Sequence, residues 1–204
     1  MRLTSTRRPG RARDSAIDVN VLAAAGRNLS AHGYEALSVA AVAEEAGTTR
    51  QALYRRWPNK VELAAAAVAQ MADPVRAAPV TDPFSALVSE LADFRRGVSR
   101  PGRLSLVGAM LQDGTDAEVL ARYRAQIVAP RRRRLHAIFE RARVEELIDP
   151  DADLEVAVTM CTGGWYGRAL AVSTPPPRWP ERTAALVWRA VGGHSREIRG
   201  VTNG

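Results

Sequence analysis

The 204-residue sequence predicts an all-α fold in two parts, a three-helix helix-turn-helix unit near the N-terminus and a larger helical part after it. Three observations predict it. Apolar residues recur at three- and four-residue spacing in one segment after another. Cap residues, Pro and Gly punctuate those segments where helices would begin and end. Two of the segments are short and are joined by a single glycine, Gly47, the pattern of two helices meeting across a tight turn. With 46% hydrophobic residues the chain has ample material for a core, and its length suits one medium domain or a small domain fused to a larger one.

Residues 1–13 carry Arg2, Arg7, Arg8, Arg11 and Arg13 with Pro9 and Gly10, too little apolar surface to fold alone, so a disordered basic arm is expected there. Such an arm follows phosphates or enters the minor groove of bound DNA, or is only a solubilising tail. From residue 14 to 32, Ile17, Val21, Leu22, Ala25 and Leu29 form one stripe, with Asp18, Asn20, Arg27 and Asn28 outside it. Ser38 stands at an N-cap position before Val39, Val42, Ala43 and Ala46, and Gly47 closes that helix in the left-handed conformation. A second short helix starts at Thr48 or Thr49, either of which can cap it. Ala52, Leu53 and Trp57 face inward, while Arg50, Gln51, Arg55 and Arg56 supply long donors. Asn59 with Glu62 then caps a fourth helix running from Lys60 to Met71. Leu29, Leu37, Val42, Leu53 and Trp57 are the expected core of this unit.

The second short helix is narrow enough to enter a DNA major groove. Arg50 can donate two hydrogen bonds to guanine and Gln51 can pair bidentately with adenine. Tyr54, Arg55 and Lys60 suit phosphates, and Lys60 also stands at a helix N-terminus that favours an anion.

These residues resemble the tetracycline-repressor-like (TetR) family of regulators. The shared signature runs through Gly33, Tyr34, Leu37, Ser38, Val39, Val42, Ala43, Ala46, Gly47, Thr48, Thr49, Leu53, Tyr54, Trp57, Lys60 and Leu63, within about residues 13 to 68. The resemblance implies phosphate contacts from Ser38, Thr49, Tyr54 and Lys60, with Arg50 and Gln51 near the bases. Thr48 and Gln51 depart from the family's commonest pattern, which leaves the operator sequence open. The candidate DNA-contacting set is therefore Ser38, Thr48, Thr49, Arg50, Gln51, Tyr54, Arg55 and Lys60.

Beyond Pro74 the chain reads as further helices. Phe84, Leu87, Val88, Leu91 and Phe94 form the stripe of a helix over residues 83–100, which Pro101 and Gly102 stop. Leu104, Leu106, Val107, Met110 and Leu111 form a short apolar helix. Thr115 with Glu118 opens a longer one through Tyr123 and Ile127, interrupted or bent at Pro130 and resuming to Val144. The run Arg131 to Arg134 reads as solvated, because consecutive helical residues point about 100° apart and do not converge on one anion. A helix over residues 152–172 contains Gly163 and Gly164, so it bends there or another helix approaches closely. After Pro175 to Pro177, residues 179–191 form the last helix.

Lys and Arg number 29 against 22 Asp and Glu, a net charge of +7 that favours an anionic partner. Up to Ala72 there are 10 basic and 6 acidic residues, a net +4, against +3 over the remaining 132. The smaller part is the more basic one per residue. Cys161 is the single cysteine, so no internal disulfide forms and a reducing cytoplasm fits. No apolar run approaches the roughly 20 residues that span a bilayer, and no signal-peptide core follows the N-terminal arginines. His32, His136 and His194 are scattered, and no nucleophile elbow, phosphate-cradling loop or metal-binding pair is present.

The sequence thus predicts three segments: a basic arm (residues 1–13), a helix-turn-helix DNA-binding domain with its linking helix (residues 14–72), and a helical ligand-binding and dimerisation domain (residues 73–204). The expected protein is not an enzyme and uses no cofactor. It is a homodimeric regulator, a repressor released from a palindromic double-stranded operator by a small-molecule effector. Phe84, Leu87, Phe94, Leu106, Met110, Tyr123, Ile127, Met160 and Trp165 are the expected wall for that effector. Val158, Tyr166, Leu170, Val187 and Trp188, on the last two long helices, are the expected dimer contacts, as the resemblance implies. Two rivals are a ligand-independent DNA-binding protein whose C-terminal part is a dimer scaffold, and a helical carrier or enzyme with a vestigial DNA domain.

Overall fold

The structure is a computed structural model that describes residues 9–72, 82–171 and 176–194, with side chains from Ala16 onward. All regular structure among the described residues is helical. The helices are α1 (Pro9–His32), α2 (Val39–Glu45), α3 (Arg50–Tyr54), α4 (Lys60–Gln70), α5 (Pro83–Val98), α6 (Arg103–Met110), α7 (Ala117–Tyr123), α8 (Ala129–Val144), α9 (Leu154–Ala171) and α10 (Trp179–Ala190). Helix α1 begins inside the expected basic arm, for Pro9 suits a first turn and the Arg and Ala that follow are good helix formers. Residues 1–8 of that arm lie outside the described residues.

The chain forms two compact units, and the division differs from a single cut at residue 73. The first unit is Met1–Asp73 with Pro101–Ile127, and the second is Pro74–Arg100 with Val128–Gly204. In the first unit α1 packs on α2, α4 and α6, and α4 packs on α7. Leu29, Leu37, Val42 and Leu53 are buried as expected, together with Leu63, Val68, Leu106 and Val119, whereas Trp57 is only half-buried. Arg122 of α7 reaches Glu62 of α4 at 3.1 Å and Glu118 of its own helix at 2.6 Å, tying α7 to the linking helix. The cap of α7 is Asp116, whose carboxylate accepts from Glu118 N at 2.8 Å. Thr115, expected in that role, instead donates its hydroxyl to Ala109 O at 2.7 Å.

A π-helical turn, Arg124–Val128, precedes α8, and Pro130 sits in the first turn of α8, where its missing N–H is tolerated. In the second unit α5 packs on α8, α9 and α10, and α9 packs on α8 and α10. Asp82 caps α5, accepting from Ser85 N at 2.9 Å, and this hydrogen bonding holds its carboxyl below the ordinary range. Phe94, Trp165 and Trp179 meet edge to face or tilted, with ring centres 5.0 to 6.1 Å apart. Cys161 is fully buried beside them, and burial pushes its thiol up to about 12, which leaves it an inert small hydrophobe.

The arginine run is not simply solvated. Glu90 is buried, and Arg134 binds both its oxygens at 2.8 and 2.9 Å while Arg131 Nε lies 3.3 Å away. Residues three apart on α8 share a face, so two of the four arginines do converge on one anion, supplied by α5. Arg132 pairs with Glu155 of α9 at 2.5 Å.

Candidate nucleic-acid interface

The reading surface is built by three capped helix starts. Ser38 Oγ accepts from Ala41 N at 3.2 Å, Thr49 Oγ1 from Ala52 N at 3.2 Å, and Asn59 Oδ1 from Glu62 N at 2.8 Å. The choice between the two threonines falls on Thr49, whose backbone is extended as a cap requires. Gly47, at φ +65°, lets Thr48 N reach back to Ala43 O at 2.9 Å and Gly47 N to Glu44 O at 3.1 Å. That doubly bonded ending rigidly sets the angle at which α3 leaves α2.

Thr49, Arg50, Gln51, Tyr54 and Arg55 are all exposed on or beside the five-residue α3, with Tyr54 42% accessible, while Thr48 is half-buried in the turn. Five exposed donors on a single short helix and its two caps match what a major groove and its flanking phosphates accept. Ser38 is exposed at the start of α2, its Oγ engaged in capping. Lys60 has a second task beyond the expected phosphate contact. Its Nζ donates to Glu35 O at 2.7 Å and lies 4.7 Å from the centre of the Tyr34 ring, so it also fastens the α1–α2 corner. Burial, with Asp116 adding to it, pushes the Tyr34 phenol up and keeps that ring neutral.

Three further residues hold the reader in place and were not singled out as functional. Arg27 pairs with Glu45 at 2.7 Å, Asn28 Oδ1 accepts from Ser38 N at 3.2 Å, and Asp18 pairs with Arg56 at 3.0 Å. All three lie on the polar flank of α1. Their signal in the sequence was only that they fall outside the apolar stripe.

The nine residues expected to wall an effector site are divided between the units. Leu106, Met110 and Tyr123 are buried in the first, with Ile127 half-buried. Leu87, Phe94 and Trp165 are buried in the core of the second, with Phe84 at its edge, and Met160 is 45% exposed on the outside of α9.

Three of the five expected dimer contacts face inward: Val158, Val187 and Trp188 are buried in the second unit's own core, and Tyr166 is partly so. Leu170 is 91% exposed. Helix α9 is apolar on most sides, so its period does not reveal which side its own unit covers. Val156, Met160 and Leu170 are exposed along one side of α9 together with Gly163, Gly164 and Gly167, and Leu186 is exposed on α10. Helix α9 runs without interruption through the glycines, and nothing within 4 Å would meet a side chain at any of the three.

Residues 21–67 match the family described as bacterial regulatory proteins, tetR family, and residues 84–187 match the tetracyclin repressor-like C-terminal domain. The chain belongs to the TetR family of regulators. An HTH-type transcriptional regulator of Mycobacterium bovis is 46% identical over 50 residues, which are 24% of this chain and 25% of that protein. The chain thus spans about a quarter of the length of the first curated relatives it matches. The HTH-type transcriptional regulator YdeS of Bacillus subtilis is 28% identical over 79% of this chain and 82% of its own. The crystal structure of the regulator FadR from Bacillus subtilis in complex with stearoyl-CoA superposes with a TM-score of 0.66 over 87% of this chain and 99% of that one; at 13% identity this shows a shared fold. Among the described residues no helix is long and apolar enough to cross a membrane, and no cluster of His, Cys, Asp and Glu could hold a metal ion.

Proposed function

We propose that the protein is a homodimeric, sequence-specific transcriptional repressor that leaves a palindromic operator when a small-molecule effector binds. The observation that carries this reading is the exposed row Thr49, Arg50, Gln51, Tyr54 and Arg55 on a helix whose start and entry angle are fixed by Thr49 and Gly47. Arg50 and Gln51 read base edges, and Ser38, Thr48, Thr49, Tyr54, Arg55 and Lys60 position the unit on phosphates. A Lys60 that holds Glu35 O through one donor keeps two more for a phosphate.

The exposed side of α9 is the surface on which a second copy docks. Glycines there let two helices approach closely, and Val156, Met160 and Leu170 gain from leaving water. Two-fold pairing sets the recognition helices about one DNA turn or somewhat more apart, roughly 34 Å. FadR, of the same fold, holds stearoyl-CoA, which supports control by a small molecule in this chain. The effector acts by binding one reader spacing better than the other.

Selection of binding sites from random duplex DNA at near-physiological salt tests the reading. A recovered palindrome is expected. Weak binding without sequence preference would mean that net basic charge alone attracts DNA, and the proposal would fall.

A further inference from the structure

Within the first unit a cleft of about 330 Å³ opens between α1, the C-terminal end of α4 and the turn that starts α6. Its walls include Leu22, Gly26 and Ser30 of α1, Met71 after α4, and Gly102 and Ser105 at α6. Most of the lining is apolar; Arg27, Gln70 and Ser105 are polar but exposed, and Ser30 is the one polar lining residue that is buried. Ser30 is 8% exposed, and among the described residues its Oγ has no hydrogen-bond partner. A hydroxyl that has lost water and found no replacement is a group waiting for a partner.

That hydroxyl is covered from water, and the residues about it are small or flexible, so a small shift of side chains brings it to the cleft. A Cβ at Gly26 would sit 3.1 Å from Met71 Sδ and narrow the cleft, and one at Gly102 would sit 3.4 Å from Ser30 Oγ. Gly102 also adopts φ +76°, which side-chain-bearing residues avoid. Met71 is a wall that can re-pack around different shapes. The charged neighbour Arg27 is already paired with Glu45, so the site offers no unmatched charge to an ion.

We propose that this cleft is a ligand site in the DNA-reading unit, taking a small uncharged molecule that is largely apolar and carries one hydroxyl or carbonyl group bonded to Ser30. An apolar cavity of about 150 Å³ already holds a benzene ring, so this larger one suits two fused rings. The lining residues all belong to the first unit. Arg27 and Asn28, on the same stretch of α1, hold α2 through Glu45 and Ser38 N, so an occupant presses on the helix that carries the reader. That last consequence rests on the function proposed above; binding itself does not.

The test is calorimetric titration of the full-length chain, without DNA, using 2-naphthol as the probe. Saturable binding at one site per chain is expected, weakened about three- to tenfold by Ser30→Ala. Ala23→Phe, which fills the cleft from α1, and Ser105→Phe, which fills it from α6, should each abolish binding while thermal unfolding stays cooperative. Absence of saturable binding to the unaltered chain overturns the proposal. So does unchanged affinity in the Ser30→Ala variant, or in either filled variant that remains folded, since the probe would then lie elsewhere.

Discussion

Helices α3 and α9 both leave a long side uncovered, and they differ in what that side carries. On α3 it is Arg50, Gln51, Tyr54 and Arg55, donors that lose little by standing in water and gain most against a charged, hydrated partner. On α9 it is Val156, Met160, Leu170 and three glycines, groups that gain only when water leaves. Exposure alone therefore does not identify a partner. The chemistry of the exposed side narrows it, and here it supports the proposal of nucleic acid for one helix and a like protein surface for the other.

The largest expected effect comes from charging the apolar side. Met160→Glu with Leu170→Glu should yield a folded monomer by sedimentation and weaken operator binding by about 100-fold or more, because two linked readers become one. A dimer that survives this pair of changes would remove α9 from the interface. Next in size, Arg50→Ala should lose about 1–3 kcal/mol of discrimination at a single operator position, seen by repeating the site selection, with binding to other positions unchanged.

Lys60→Ala sharpens the distinction within the reader itself. Weaker binding to all DNA and a salt slope lower by about one are expected from the lost phosphate contact. Because Lys60 also bonds Glu35 O and covers Tyr34, the same change should lower stability by about 1 kcal/mol in denaturant unfolding without DNA. Stability that stays level while DNA binding drops would make Lys60 a purely phosphate-facing residue.

The smallest effects concern two caps. Thr49→Ala should cost about 1 kcal/mol at any pH, since a hydroxyl cap does not titrate in the ordinary range. Asp82, at the start of α5, is different. Its folded carboxyl is held below the ordinary 3.8 by bonds to Ser85, so the unfolded chain takes up its proton first as pH falls. The stabilisation is complete above about pH 4 and is lost as pH drops through the lower folded value. Asp82→Asn keeps the cap, and should flatten this contribution in acid unfolding curves while changing stability near pH 7 by only a few tenths of a kcal/mol.

Much of the reader was legible in the sequence because its signals are local. Ser38, Asn59 and Gly47 act within four or five residues of themselves, so spacing alone placed α2, the turn and α4. Between Thr48 and Thr49 spacing was silent, and backbone conformation decided for Thr49. The second task of Lys60 was hidden because its partner, Glu35, lies 25 residues earlier in the chain.

By itself, the sequence determined the all-helical class, the starts of α2 and α4, the turn and the kinds of side chain that a DNA-reading helix needs, all consequences of 3.6-residue periodicity and local hydrogen bonding. Tertiary structure alone decided which side of α9 is covered, leaving Val158 inside and Met160 outside although both are apolar. It alone brought Arg131 and Arg134 onto Glu90, 44 residues from Arg134, and joined α6 and α7 to the first unit. It also left Ser30 unpartnered in a cleft whose walls come from three separate stretches of chain. The physical reason is common to all four. Burial and long-range pairing depend on which surfaces meet, and residues far apart in the chain carry no mutual spacing from which that meeting can be read.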